Sequence, residues 1–341
     1  MKTTKKILAF LIFAFFATAC SKSDDKTAEP ITKDIYTCGY ESNGSKDIAK
    51  VWKNGTATFL SDVTKNAKAN DVAVSGTDVY VVGYENNGTK NVAKIWKNGV
   101  ATSLANGIYN SEASAIAISG ADVYVVGYEG SNSTRSIAKL WKDGISYPLT
   151  DGTKDVYANG LYVSGKDIYF SGYEYDSGKY IAKVWKNANS TSLTNGTYIA
   201  MANAVAVSGT DVYVAGYEYN ATKSVAKLWK NGVATSLTDG GNFASANAIV
   251  VSGTDIYVAG LEYNGTKYVA KVWKNGTPTS LTDGTKTAEA HSVFVLGNDV
   301  YVAGFESNGT RNVAKYWKNG VVTNIVTDPA FSSKANSIFV Q

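Results

Sequence analysis

Five asparagines, one serine and one histidine recur at a fixed spacing along the 341-residue chain: Asn70, Ser114, Asn159, Asn203, Asn247, His291 and Asn336. An alanine precedes each of them, and six stand eight residues before an aspartate, as Asn203 does before Asp211. An amide both donates and accepts hydrogen bonds, so a ring of these side chains suits a polar, uncharged ligand or ordered water. Asparagine is equally suited to capping the backbone of a preceding loop. A second set is glutamate, at positions 41, 85, 129, 174, 218, 262 and 306, each followed by a basic residue across a short turn. Those partners are Lys46, Lys90, Arg135, Lys179, Lys223, Lys267 and Arg311. Seven ringed carboxylates could hold cations or sugars, but the spacing is read as one cross-strand ion pair per turn, each contributing about 0–1 kcal/mol when exposed. The third set is a Trp-Lys pair in every copy. Exposed indoles would be sugar-stacking platforms, whereas an indole inside an apolar run is read as packing.

Other chemistry is excluded by what the chain lacks. It has a single histidine, so no metal site built on a histidine cluster can form. A Ser-His-Asp arrangement would rest wholly on His291. Most carboxylates fall at repeated positions, so no distinctive acid–base pair stands out. The expectation is a protein that is not an enzyme and carries neither metal nor cofactor. The formal charge of +4 owes most of its excess to Lys2, Lys5 and Lys6. The remainder is close to neutral, which argues against a nucleic-acid partner.

The elements that must position these residues are legible in the tryptophans. All seven, at 52, 96, 141, 185, 229, 273 and 317, recur at intervals of 44 or 45 residues. A fixed period in this range signals a repeat architecture. Each copy holds four short runs rich in Val, Tyr, Thr and Ala, here named A to D. Ser-Gly-Thr-Asp separates A from B, Asn-Gly-Thr-Lys or a close variant separates B from C, and Lys-Asn-Gly separates C from D. These are hairpin turns. Seven units of four strands predict an all-β fold, a seven-bladed β-propeller of four-stranded antiparallel blades over residues 34–341. The chain begins in a B run at Asp34 and ends in an A run, Ala335 to Val340. The C-terminal strand is therefore expected to complete the N-terminal blade, Ile338 and Val340 pairing near Ile35 and Thr37. The motif Val212-Tyr213-Val214-Ala215-Gly216-Tyr217, followed by Val225-Ala226-Lys227-Leu228, resembles the bacterial propeller repeats often called SBBP. It is similar more loosely to Kelch repeats, without their Gly-Gly pair. The resemblance covers nearly all of residues 34–341 and implies architecture rather than activity.

The first 19 residues read as a processing signal. Three lysines precede an apolar run from Ile7 to Phe16, then small residues and Cys20. Ala17-Thr18-Ala19-Cys20 resembles a bacterial lipobox, which implies lipidation of Cys20. Residues 20–33 then form a polar tether, and Asp24-Asp25 resembles the surface-export signal of Bacteroidota lipoproteins. Cys38 has no partner for a disulfide and is expected to be a buried thiol.

The expectation from sequence is thus a monomer held to the bacterial outer membrane, at the cell surface, by a lipid on Cys20. Its role is read as a non-catalytic binding module for glycan or protein, with the Asn/Ser/His ring at the channel mouth as the candidate site. The alternatives are a structural or assembly subunit of a surface complex, and a carbohydrate-active hydrolase or lyase.

Overall fold

The structure, a computed structural model, describes residues 33–132, 135–325 and 327–341. The expected leader, Cys20 and the expected tether up to residue 32 lie outside the described residues. The expected propeller is present: seven sheets of four antiparallel strands, consecutive in the chain in six of them, while the first sheet takes its A strand from the C-terminus. Blade 5 is representative, with strands Ala200–Ser208 (A), Asp211–Tyr219 (B), Ser224–Lys230 (C) and Val233–Ser236 (D). The other A strands are Ser332–Val340 in blade 1, Ala67–Ser75 in blade 2, Ser111–Ser119 in blade 3, Asp155–Ser164 in blade 4, Ala244–Ser252 in blade 6 and Ala288–Leu296 in blade 7.

Local chemistry sets each hairpin. At the C–D turn, Asn231 and Gly232 both have positive φ, 51° and 84°, as a two-residue type I′ turn requires. The Asn231 side chain then fastens this turn to the neighbouring A–B turn. Its Oδ1 accepts from the Val212 backbone N–H at 2.8 Å, and its Nδ2 donates to Asp211 Oδ1 at 2.8 Å. Lys230 takes the other Asp211 oxygen at 2.7 Å. The hydrogen bond from Lys230, then that from Asn231, holds the Asp211 carboxyl below its ordinary range.

The core lies between blades. Trp229 of blade 5 packs with Tyr169, Val184 and Leu193 of blade 4, and the same arrangement recurs around the ring. All seven indoles are between 0 and 3 % exposed, so the reading of the tryptophans as packing is correct. The ring closes as expected. Ile35 is opposite Val340 and Thr37 opposite Ile338. Paired backbone bonds between Asp34 and Gln341, at 2.9 and 3.0 Å, fasten the chain ends. Cys38 is fully buried beside this closing strand.

The glutamates are paired, but not with the expected partners. Glu41 meets Lys50, Glu129 meets Lys139, Glu174 meets Lys183, Glu218 meets Lys227, Glu262 meets Lys271 and Glu306 meets Lys315. Glu85 lies 3.0 Å from Lys65 and 3.9 Å from Lys94. The recurring partner is the strand-C lysine two residues before the tryptophan, joined by Lys65 at Glu85 and by Lys154 at Glu174, rather than Lys46, Lys90, Arg135, Lys179, Lys223, Lys267 or Arg311. The register explains it. Lys227 stands opposite Gly216, which has no side chain, and its amine crosses that gap to Glu218 on the same face. In blade 1, Phe59 lies over the Lys50 amine at 4.1 Å and the pair is buried.

Candidate functional site

The Asn/Ser/His set shares one structural cause. In every blade the A–B ladder slips by one residue. In blade 5 Ala202 faces Gly216 and Ala204 faces Ala215, which leaves Asn203 as the extra residue of a β-bulge. The same slip frees Asn70, Ser114, Asn159, Asn247, His291 and Asn336. A bulge re-aims its side chain, and all seven line one cavity of about 220 Å³ at the mouth of the central channel. The expected ring exists.

Its donors, however, are already in use. Asn70 Nδ2 donates to the Ala113 carbonyl of the next blade at 3.0 Å. Asn159 reaches Ala202 O, Asn203 reaches Ala246 O, Asn247 reaches Ala290 O and Asn336 reaches Ala69 O, at 2.8–3.1 Å. His291 Nδ1 stands 3.1 Å from Ala335 O in the equivalent position. The amides are thus clasps between blades, rather than caps of their own loops. Beyond the clasp each amide has a second N–H and a carbonyl oxygen, and that second N–H is also taken in Asn70 and in Asn203, the latter reaching Ser245 Oγ at 3.4 Å. Asn247 Oδ1 accepts from Ser245 Oγ at 2.7 Å, and Asn70 Nδ2 also donates to Glu112 Oε1 at 2.8 Å. Ser114 is too short to clasp.

His291 is not placed for nucleophilic catalysis. Its Nε2 is 3.0 Å from Glu289 Oε2 while Nδ1 faces the Ala335 carbonyl, and both partners are acceptors. Both ring nitrogens are thus taken up by these acceptors, and neither is engaged with a hydroxyl. Desolvation raises the Glu289 carboxyl, but the hydrogen bond and charge of His291 outweigh it and hold the group below its ordinary value.

Below the collar a second cavity, of about 640 Å³, continues along the axis toward the A–B turns. Both cavities are lined by Leu161, Val205 and Ile249 and by one carboxylate, Asp71. Sequence reading missed Asp71, although it had a signal: the corresponding positions are Ala115, Gly160, Ala204, Ala248, Ser292 and Ser337, all small and uncharged. Behind the collar, burial pushes the phenol of Tyr40 up to about 12 and those of Tyr84, Tyr128 and Tyr173 further, so they remain neutral.

No protein-family model matches the chain, and no curated protein does. Solved structures share its shape. A puromycin-hydrolysing peptidase of Mycobacterium tuberculosis superposes with a TM-score of 0.59 at 10% identity, over 85% of this chain and 52% of that one. A puromycin hydrolase gives 0.47 at 11% identity, over 76% of this chain and 54% of that one. The propeller domain of the Trilobed protease from Pyrococcus furiosus gives 0.51 at 10% identity, over 85% and 94%. The chain thus spans about half the length of the two puromycin-hydrolysing proteins and nearly all of the protease propeller. That domain is described as an open Velcro, whereas this ring is closed by strand pairing. At such identity the likeness shows the fold. It also corrects the expectation of a non-catalytic glycan- or protein-binding module and its assembly-subunit and carbohydrate-active alternatives. Of these three neighbours, the two that superpose with a TM-score above 0.5 are a puromycin-hydrolysing peptidase and the propeller domain of a protease.

Proposed function

We propose that the chain is a peptidase-related propeller whose channel collar receives extended peptide on behalf of a hydrolytic centre outside the ring. The observation that carries this reading is the collar. Five amides stand around one mouth; each keeps an accepting lone pair on its carbonyl oxygen, and Asn159, Asn247 and Asn336 also keep a second N–H after the clasp. Extended peptide backbone offers the complementary alternation of carbonyls and N–H groups, is uncharged, and is common to all sequences. The engaged ring nitrogens of His291 favour a division of labour in which the propeller supplies the path and another centre the nucleophile.

The test is fluorescence anisotropy with a labelled, flexible octapeptide. The variant pair is Asn203→His with Asn247→His, because His291 shows that histidine can keep the clasp. Saturable binding by the wild type is expected, weakened about tenfold or more in the double variant with little change in melting temperature. Absence of saturable peptide binding would overturn the reading. Turnover of a fluorogenic peptide by the wild type that His291→Ala abolishes would overturn the division of labour.

A further inference from the structure

The carboxylates on the repeat hairpins have lysine partners, such as Asp211 with Lys230 at 2.7 Å and Glu174 with Lys183 at 2.7 Å. Asp71 differs. Among the described residues no lysine or arginine lies within ion-pair distance of it, and its bonds come from neutral donors. Ser337 Oγ and the Val72 N–H donate to Oδ1 at 2.6 and 2.9 Å, and the Ile116 N–H donates to Oδ2 at 2.9 Å. Those donors belong to blades 1, 2 and 3, so the carboxylate is held rigidly at the channel wall. One lone-pair direction of Oδ2 is left.

The surroundings define what could complete it. At its level the ring is Ala115, Gly160, Ala204, Ala248, Ser292 and Ser337, small side chains that leave room at the axis. The polar members, Ser292 and Ser337, stand on the two blades preceding that of Asp71. The wall just beyond is apolar, with Leu161, Val205 and Ile249. A hard divalent cation would ask for six or more oxygens, and one carboxylate with two hydroxyls falls short. A compact cation with an apolar body, bearing three N–H donors, fits the asymmetry.

We propose that the neck of the channel is an ammonium site, in which Asp71 receives a protonated primary amine with the Ser292 and Ser337 hydroxyls beside it. In a peptide that amine is the N-terminus; a small free amine offers the same chemistry. Only the peptide source rests on the reading of the collar given above. The burial that raises the Asp71 carboxyl above its ordinary value is what a bound cation relieves.

Two measurements test this. In the first, an octapeptide labelled at its C-terminus is titrated with its amine free and again with it acetylated. The free amine is expected to bind about tenfold tighter or more, and Asp71→Asn should abolish the difference. In the second, the melting temperature of the wild type is followed in methylammonium chloride against equal sodium chloride. A rise specific to methylammonium, absent in Asp71→Asn, supports the site for small amines; the comparison within the wild type holds even if the variant does not fold. Equal binding of the two peptides overturns the N-terminal assignment and leaves the collar reading standing. Binding of neither peptide sinks the collar reading, and the ammonium site then survives only on a methylammonium-specific rise. No rise together with equal peptide binding overturns the ammonium site altogether.

Discussion

A β-bulge needs space on the strand opposite, and that requirement explains the glycine shared by every strand B. A Cβ added at Gly216 would sit 2.1 Å from the Met201 carbonyl oxygen, and at Gly83 1.9 Å from that of Lys68. The obstacle is backbone, so it cannot swing aside. Gly216 also leaves the gap that Lys227 crosses to reach Glu218. One missing side chain therefore serves the bulge that aims Asn203 and the ion pair on the next hairpin. Gly216→Ala is expected to destabilise the protein by about 3 kcal/mol, read from the shift of its urea midpoint. An unchanged midpoint would show that the bulge is not held by this contact.

Between elements, the clasps form a chain around the axis with one link missing. Six of the seven blade junctions have a collar side chain on the next blade's alanine carbonyl, while Ser114 leaves Ala158 of blade 4 without one. That junction has other contacts. Tyr128 packs edge-on against Tyr157, ring centroids 4.8 Å apart, and Ser136 Oγ donates to the Tyr157 hydroxyl at 3.0 Å. Ser114→Asn should supply the missing bond and stabilise by about 1 kcal/mol, a rise of about 2 °C in melting temperature. A fall would mean that the tyrosine contact and the clasp compete for the same space. The short D strands matter at this scale too. They are four residues long and exposed throughout, a length that limits pairing with other chains at the outer rim.

For the whole molecule, closure is the decisive event, because blade 1 has no strand A until the last residues arrive. Ser332–Val340 then pairs with Ile35–Ser42, and Cys38 is sealed behind Ser337. Burial pushes the Cys38 thiol well above its ordinary value, so in the closed ring it is both inaccessible and protonated. Removing residues 332–341 should expose it. Labelling by a disulfide reagent is expected to run about a hundredfold faster or more in the truncated protein than in the full chain under native conditions. Equal rates would mean that the ring opens at this junction without the deletion.

The number of blades, the four strands in each, the hairpin turns and the closing strand are all legible in the sequence, since each depends on contacts within one repeat or on the bare count of repeats. A type I′ turn at Asn231-Gly232 needs only those two residues to accept positive φ. The level of the collar was legible for the same reason, because a fixed spacing within a repeat becomes a fixed height on the ring. What the collar amides bond to was not. Asn203 and its acceptor Ala246 are 43 residues apart, and nothing local to either residue names the other. The lysine that pairs with Glu218 was hidden because the nearer basic residue in the chain, Lys223, is not the nearer one across the register. Asp71 shows the limit most clearly. In the sequence it is one substitution in a row of alanines, serines and a glycine, and only the convergence of seven strands makes it the carboxylate at the neck of a channel. Repetition encodes the scaffold through short-range periodicity. The site depends on single departures from the repeat, and their surroundings are created when the ring closes.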